Sequence, residues 1–228
     1  MNRTGRANRV APDGAVHAVA ARGLLWGNRG ALLDADGELV RHSRGRGWVC
    51  CVLDFHGRHR EQWRPGRLTE LYFLDEATAL AAGHRPCGEC RHADHQRFTG
   101  IRSQLFPTDT SAGAVDRRLH AARLQAPGRH RTYEAPLADL PDGTSVAYDG
   151  GFWLVRGDRA LEWTFDGYRS ARSRTELPGR VQVRTPEPTV AVLRAGFVPG
   201  VHPSAEDARG VDGALSIRET NEFAPDPC

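Results

Sequence analysis

Apolar positions along this chain fall into short runs rather than long periodic stretches, so short strands and short helices are expected. Trp48-Val-Cys-Cys-Val-Leu53 is an apolar run closed by Gly47 and Asp54, the pattern of a buried strand, and Leu71-Tyr-Phe-Leu74 is a second. Residues 24–26 and 31–33 flank the turn-like Gly27-Asn-Arg-Gly30 as the arms of a hairpin would, and 34–38 reads as another turn. Asp75 has the chemistry of a helix N-cap, with Ala77, Leu80 and Ala81 at helical spacing and Gly83 as the residue that ends the helix. Residues 94–105 and 114–124 read as two further helices, the second carrying Val115, Leu119 and Ala122 on one face.

The pattern changes after residue 131. Strands are expected at 145–148, 152–156, 160–164 and 181–184, separated by Gly150-Gly151, Gly157-Asp158 and Asp166-Gly167 at hairpin distances. Trp153, Trp163 and Tyr168 read as packing residues of these hairpins. Thr185 then caps a helix over 186–195 that Gly196 ends. The expected fold class is α+β: a small metal-centred region with short helices, followed by a β-rich half ending in a helix. The boundaries read as a loose start over 1–20, a metal-binding region over 21–131, a β-rich region over 132–202 and a disordered acidic tail over 203–228.

Composition narrows the class. Of 228 residues, 26% are charged and 39% hydrophobic, which argues against global disorder. No apolar run approaches the roughly 20 residues of a membrane helix, and residues 1–9 lack an apolar export core, so a cytoplasmic protein is expected. All 31 basic residues are arginine, and they are unevenly spread. Residues 1–131 hold 21 Arg against 13 Asp and Glu, a balance of +8, whereas 132–228 hold 10 against 15, a balance of −5. Their sum is the net +3, and an anionic partner would meet the first half.

Five cysteines, an odd number, do not suggest a disulfide framework. Cys228 is the last residue of the acidic tail and reads as a spare thiol. Cys87-Gly-Glu-Cys90 is a zinc half-site spacing, because two thiolates on one side of a tight turn reach a metal without strain. A redox pair is disfavoured, since a thioredoxin-like motif opens a helix whereas this one follows a helix. The remaining ligands are sought at Cys50 and Cys51. Adjacent strand residues face opposite ways, so one of them should face the metal and the other the core, unless a bulge turns both inward. Cys51 is the first choice and Cys50 the second, with His56, His59, His84, His92 and His95 as further candidates for the fourth position. The set Asp116, His120 and Arg123 lies on successive helical turns, either as an acid/base cluster or, more simply, as a solvated face.

The stretch from Phe73 to Cys90, with Ala79, Ala82, Gly83, Arg85, Pro86, Cys87 and Cys90 in place, resembles the N-terminal metal-binding domain of the Ada DNA-repair family. The longer run from Leu68 is similar to uncharacterised bacterial proteins that carry this module. The resemblance covers about 20 residues, and residues 100–228 resemble nothing with a function attached. It implies a Zn2+ cofactor held by Cys50, Cys51, Cys87 and Cys90, although the family's first pair is spaced Cys-x-x-x-Cys and here the two are adjacent. It also implies DNA as partner and a cysteine that accepts a methyl group from a methylated DNA phosphate, with Cys51 in that role. The family's helix-turn-helix and alkylguanine-transferase domains are not found in this sequence. Arg46, Arg58, Arg60, Arg64 and Arg85 are the candidate phosphate contacts, with Arg44 and Arg67 nearby and Trp48 and Trp63 interleaved. The competing expectation is a zinc ion that only staples the fold, with an enzymatic or ligand-binding role in the β-rich half.

Overall fold

The structure is a computed structural model, and it describes residues 6–57, 61–109 and 111–210. It is a mixed α+β fold with several sheets and a few short helices. The first sheet is built from β1 (Arg9–Val10), β2 (Val16–His17), β3 (Leu25–Asn28), β4 (Val49–Val52), β5 (Leu71–Phe73) and β6 (Arg85–Pro86), in the order β2-β1-β5-β3-β4-β6. Strand β4 is flanked by antiparallel β3 and parallel β6. Residues 9–17, expected to be loose, contribute the opposite edge. The expected hairpin across residues 27–30 does not form, because β3 spends its hydrogen bonds on β4 and β5.

Between β5 and β6 runs α1 (Glu76–Ala81), with Asp75 as N-cap accepting from the Thr78 N–H at 2.8 Å. Gly83 leaves the helix at φ +83, and a side chain there would also meet Arg123 Cδ at 2.5 Å. Then come α2 (His92–Leu105) and α3 (Ala112–Arg123), followed by the short pair β7 (Leu124–Ala126) and β8 (Arg129–His130).

The second sheet comprises β9 (Tyr133–Pro136), β10 (Ser145–Tyr148), β11 (Gly151–Arg156), β12 (Arg159–Thr164), β13 (Gly167–Ser173), β14 (Arg180–Val183) and β15 (Arg209–Gly210), in the order β15-β13-β12-β11-β10-β14-β9. The β10–β11 turn is Asp149-Gly150, both at positive φ, one residue earlier than the glycine pair suggested. Helix α4 (Glu187–Arg194) ends at Gly196 with φ +101, and α5 (Ser204–Asp207) precedes β15. The expected tail is thus ordered to residue 210, and the rest, Cys228 included, lies outside the described residues.

The two halves share their interior. Leu74 and Ala77 pack with Leu154, Leu161 and Tyr168, and Leu80 and Phe98 pack with Val192, Leu193 and Phe197. Buried polar groups cross the same seam: the Tyr168 hydroxyl donates to Asp75 at 2.7 Å and Trp163 Nε1 donates to Thr78 Oγ1 at 3.0 Å. Among the described residues no helix is long and apolar enough to cross a membrane.

Candidate metal centre and its pocket

Strand alternation separates the adjacent cysteines. Cys50 points into the core beside Leu32, Leu71 and Phe73, is fully buried, and lies 3.2 Å from the Arg91 guanidinium. Burial pushes its thiol up to about 12. Cys51 faces the other way. Parallel pairing places Cys50 opposite Pro86 and lets the Cys87 N–H donate to the Cys50 carbonyl at 3.0 Å, which carries the Cys87–Cys90 turn onto the Cys51 face.

The result is a group of three thiols, Cys51, Cys87 and Cys90, whose sulfurs lie within 4.8 Å of one another. Zn–S bonds of about 2.3 Å in tetrahedral geometry put sulfurs about 3.8 Å apart, so the set can hold a metal ion with little adjustment. The thiols also perturb one another. A hydrogen bond with Cys51 pulls Cys87 down to about 5, against the opposing effect of its burial. The same bond, with burial, drives Cys51 far up, and burial raises Cys90. Sulfurs crowded so that they must share protons are what a divalent cation relieves.

No histidine or carboxylate joins this group among the described residues. His84 is buried between Trp48 and Phe73, and its Nε2 accepts from Arg29 at 3.4 Å. His95 Nδ1 sits 3.2 Å from the Pro86 carbonyl, and His92 Nδ1 3.1 Å from that of Gly88. His56 is exposed on the loop after β4, and His59 lies outside the described residues. Cys50 likewise stays apart, so of the four expected cysteine ligands the structure brings together three.

The three thiols lie in the wall of a cavity of about 380 Å3. Trp26, Phe55, Tyr72, Leu68, Gln62 and Glu70 also line it. The sequence carried no signal for these wall residues beyond the strands they stand on. The segment between the lining residues Phe55 and Gln62 includes Arg58, His59 and Arg60, three residues outside the described set.

Arg91, the residue after Cys90, was also missed, although its place beside the motif was visible. Its guanidinium reaches Asp94 at 2.8 Å and sits 2.8 Å from Glu76 Oε1, an ion-pair distance rather than an aligned hydrogen bond. The Cys-x-x-Cys turn leads directly into α2, so its position after α1 loses force as an argument against redox chemistry. The third thiol is the better discriminator.

The candidate phosphate contacts divide. Arg46 and Arg64 are exposed, Arg64 beside Glu61 at 3.0 Å. Arg58 and Arg60 lie outside the described residues. Arg85 is a correction: both its Nε and Nη2 donate to Asp116, at 2.8 and 3.0 Å, and it is 8% exposed. A guanidinium committed in this way has little left for a nucleic acid. The Asp116, His120, Arg123 face is not solvated either. Arg123 is fully buried 3.7 Å above the Trp48 ring and donates to the Gly83 and Arg46 carbonyls. Trp48 itself is fully buried, so it offers no platform for a partner, and Trp63 Nε1 donates to the Gly37 carbonyl.

Fold and site thus define a mixed α+β protein with a three-thiol centre opening on a pocket. Comparison with family models, curated proteins and solved structures gives no match to this chain.

Proposed function

We propose that Cys51, Cys87 and Cys90 hold a zinc ion, and that Cys51 accepts a methyl group from a methylated DNA phosphate, as the Ada resemblance implies. The observation that carries this reading is the position of the three thiols in a pocket wall. A zinc site that only staples a fold is closed by four protein ligands, whereas one that meets a substrate keeps a position open. Zinc bound there supplies the positive charge that keeps the thiols anionic at neutral pH.

The chain's own contribution is to hold and present the sulfur. Strand β4 fixes Cys51 at the pocket wall, and the anchored Cys87–Cys90 turn brings the other two sulfurs to it. The Cys51 thiolate forms a bond to the methyl carbon, the carbon–oxygen bond breaks, and the phosphate leaves as a diester anion, so no further reagent is consumed. The +8 balance of residues 1–131 and the exposed Arg46 and Arg64 support an anionic partner.

The test is to incubate the zinc-loaded protein with methylphosphotriester DNA and map adducts by mass spectrometry. One added methyl on Cys51, lost in Cys51→Ala, is the expected result. Zinc retained with no methylated cysteine would refute methyl transfer, and a methyl mapped to Cys87 or Cys90 would reassign the acceptor.

A further inference from the structure

The cavity that holds the three thiols has a second, aromatic end. Cys51, Trp26 and Tyr72 are cross-strand neighbours in one row on β4, β3 and β5, and all three line it. At about 4.8 Å per strand, its floor runs about 10 Å from Cys51 to Tyr72. Arg9 lies over the Tyr72 ring at 4.7 Å, so the half-buried Trp26 is the principal stacking surface. Asn28 stands one step along β3, and the residue facing it, one beyond the Gly27–Leu71 pair, is Glu70; both line the cavity. The exposed Leu53 and Leu68 form apolar parts of its wall.

This lining selects by charge and by shape. Among the described residues it includes no arginine or histidine, while Glu70 and Glu89 bring carboxylates. Three thiolates around one zinc ion add a further net negative charge. The interior therefore disfavours an anionic phosphodiester and suits a flat, neutral group that stacks on an aromatic ring. Two polar partners for the edge of such a group stand side by side. Asn28 Oδ1 accepts from the Gly30 N–H at 3.3 Å, and Glu70 Oε2 accepts from the Trp63 N–H at 3.0 Å. These bonds leave the Asn28 amide N–H groups as donors and Glu70 Oε1 as an acceptor. A donor beside a carboxylate matches a base edge that carries a ring nitrogen beside an exocyclic amino group, as adenine and cytosine do.

We propose that this cavity takes one nucleobase of a DNA strand, stacked on Trp26 with its amino-bearing edge on Glu70 and Asn28. The cavity volume of about 380 Å3 is far more than a methyl group needs and holds a base. With DNA as the partner of the thiol centre, on which this assignment rests, a methylated phosphate at Cys51 sets the base of its own nucleotide toward the aromatic end. That base must leave the duplex stack to enter, so single-stranded DNA is the preferred form.

Fluorescence anisotropy with the zinc-loaded full chain tests it, using a deoxycytidine tetramer and an abasic tetramer with the same phosphates. The cytidine tetramer should bind at least about fivefold more tightly, the gain from one stacked base. Trp26→Leu should remove that preference and Trp26→Phe, which keeps an aromatic face, should retain it, in proteins of unchanged melting temperature and zinc content. Equal affinity of the wild type for the two tetramers overturns the proposal and leaves DNA standing as partner. A preference that survives in folded Trp26→Leu overturns it too. Binding of neither tetramer nor of duplex DNA overturns the DNA reading, and this assignment with it. Deoxycytidine monophosphate that binds as tightly as the tetramer assigns the cavity to a free nucleotide and overturns the strand as its source. No arm requires methyl transfer, so base binding without a methylated cysteine supports the cavity assignment while refuting the transfer.

Discussion

Acidification from pH 7.5 to 5.0 should destabilise this protein through a histidine cluster around Trp48. The indole is fully buried, with Arg123 3.7 Å from one ring and Arg29 4.5 Å from it, and both guanidiniums are fully buried. His42, His84, His120 and His130 surround the same ring at 5.3, 5.2, 6.4 and 5.9 Å between centroids. Burial, then the two arginines, holds His42 down to about 4 and His84 well below its usual range; burial, Arg29, His42 and Arg123 hold His130 down to about 2. Burial and Arg123 lower His120 as well. His84 Nδ1 and His130 Nε2 are buried without a partner among the described residues, so an added proton there has no acceptor among them. Each folded pKa lies below the unfolded value of about 6.5, so the unfolded chain takes up protons first as pH falls. Stability is therefore complete above neutrality and is lost progressively below about pH 6.5. A histidine that stays neutral in the fold costs about 2 kcal/mol at pH 5.0, at about 1.4 kcal/mol for each of about 1.5 pH units. His130, held at about 2, gives about 2 kcal/mol, and His84, also lowered by burial and the arginines, adds to it in the same direction, a large part of a typical folding free energy. The less buried His42 and His120 add less because solvent screens them. Urea melts at pH 7.5, 6.0 and 5.0 with chelator present isolate this effect, since most carboxylates titrate lower. An unchanged midpoint at pH 5.0, or the same pH slope in a folded His84→Gln, His130→Gln double variant, would refute the reasoning.

The other outcomes follow from single contacts. Cys51→Ala, Cys87→Ala and Cys90→Ala should each abolish stoichiometric zinc retention in gel-filtered protein. Cys50→Ala should retain it and lose about 1 kcal/mol, because its thiol serves the core and Arg91; zinc loss in Cys50→Ala would overturn the three-ligand assignment. Asp75→Ala removes the α1 cap and strands the Tyr168 hydroxyl, so a cost of about 3 kcal/mol is expected in thermal melts. Gly83→Ala should cost at least about 1 kcal/mol in the same assay, since φ is +83 and a Cβ would press on Arg123.

Where the chain's local chemistry decides an element, the element is legible in the order of residues alone. The apolar run at β4, the Asp75 cap with Gly83, and the Gly157-Asp158 turn between β11 and β12 are of this kind, and alternation alone separated Cys51 from Cys50. Where long-range pairing decides, the pattern is silent. Strands β1 and β2 are two residues each, and what makes them strands is pairing, β1 on the edge of β5 and β2 on β1. Arginine misleads most. Arg85 reads as a phosphate contact and Arg123 as part of an acid/base cluster or a solvated face, yet both are buried, as is Arg29, because a planar guanidinium can stack on an indole or grip a carboxylate bidentately while its alkyl stem packs as a hydrophobe. The walls of the thiol pocket were invisible for a related reason: Trp26 and Tyr72 stand on strands in the expected way, and only register sets Trp26 opposite Cys51 on one side and Tyr72 on the other.

That register also bears on what the β-rich half does for the site. The residue that leaves the Cys-x-x-Cys turn, Arg91, is held by Glu76, and the other Glu76 oxygen accepts from the Gly200 N–H at 2.9 Å. The Glu76 N–H in turn donates to the Gly200 carbonyl at 3.1 Å. One residue earlier, Asp75 accepts from Tyr168 and from the His202 N–H at 3.0 Å. Helix α1 is only six residues long, too short to keep its shape unaided. Ala79 packs against the first sheet, while Ala77, Asp75 and Glu76 tie the helix to the second sheet and the segment after α4, and Arg91 links it to the turn that carries Cys87 and Cys90. The β-rich half therefore touches the thiol centre without contributing a ligand to it: through Glu76 and Arg91 it braces the turn that the pairing of β4 with β6 places.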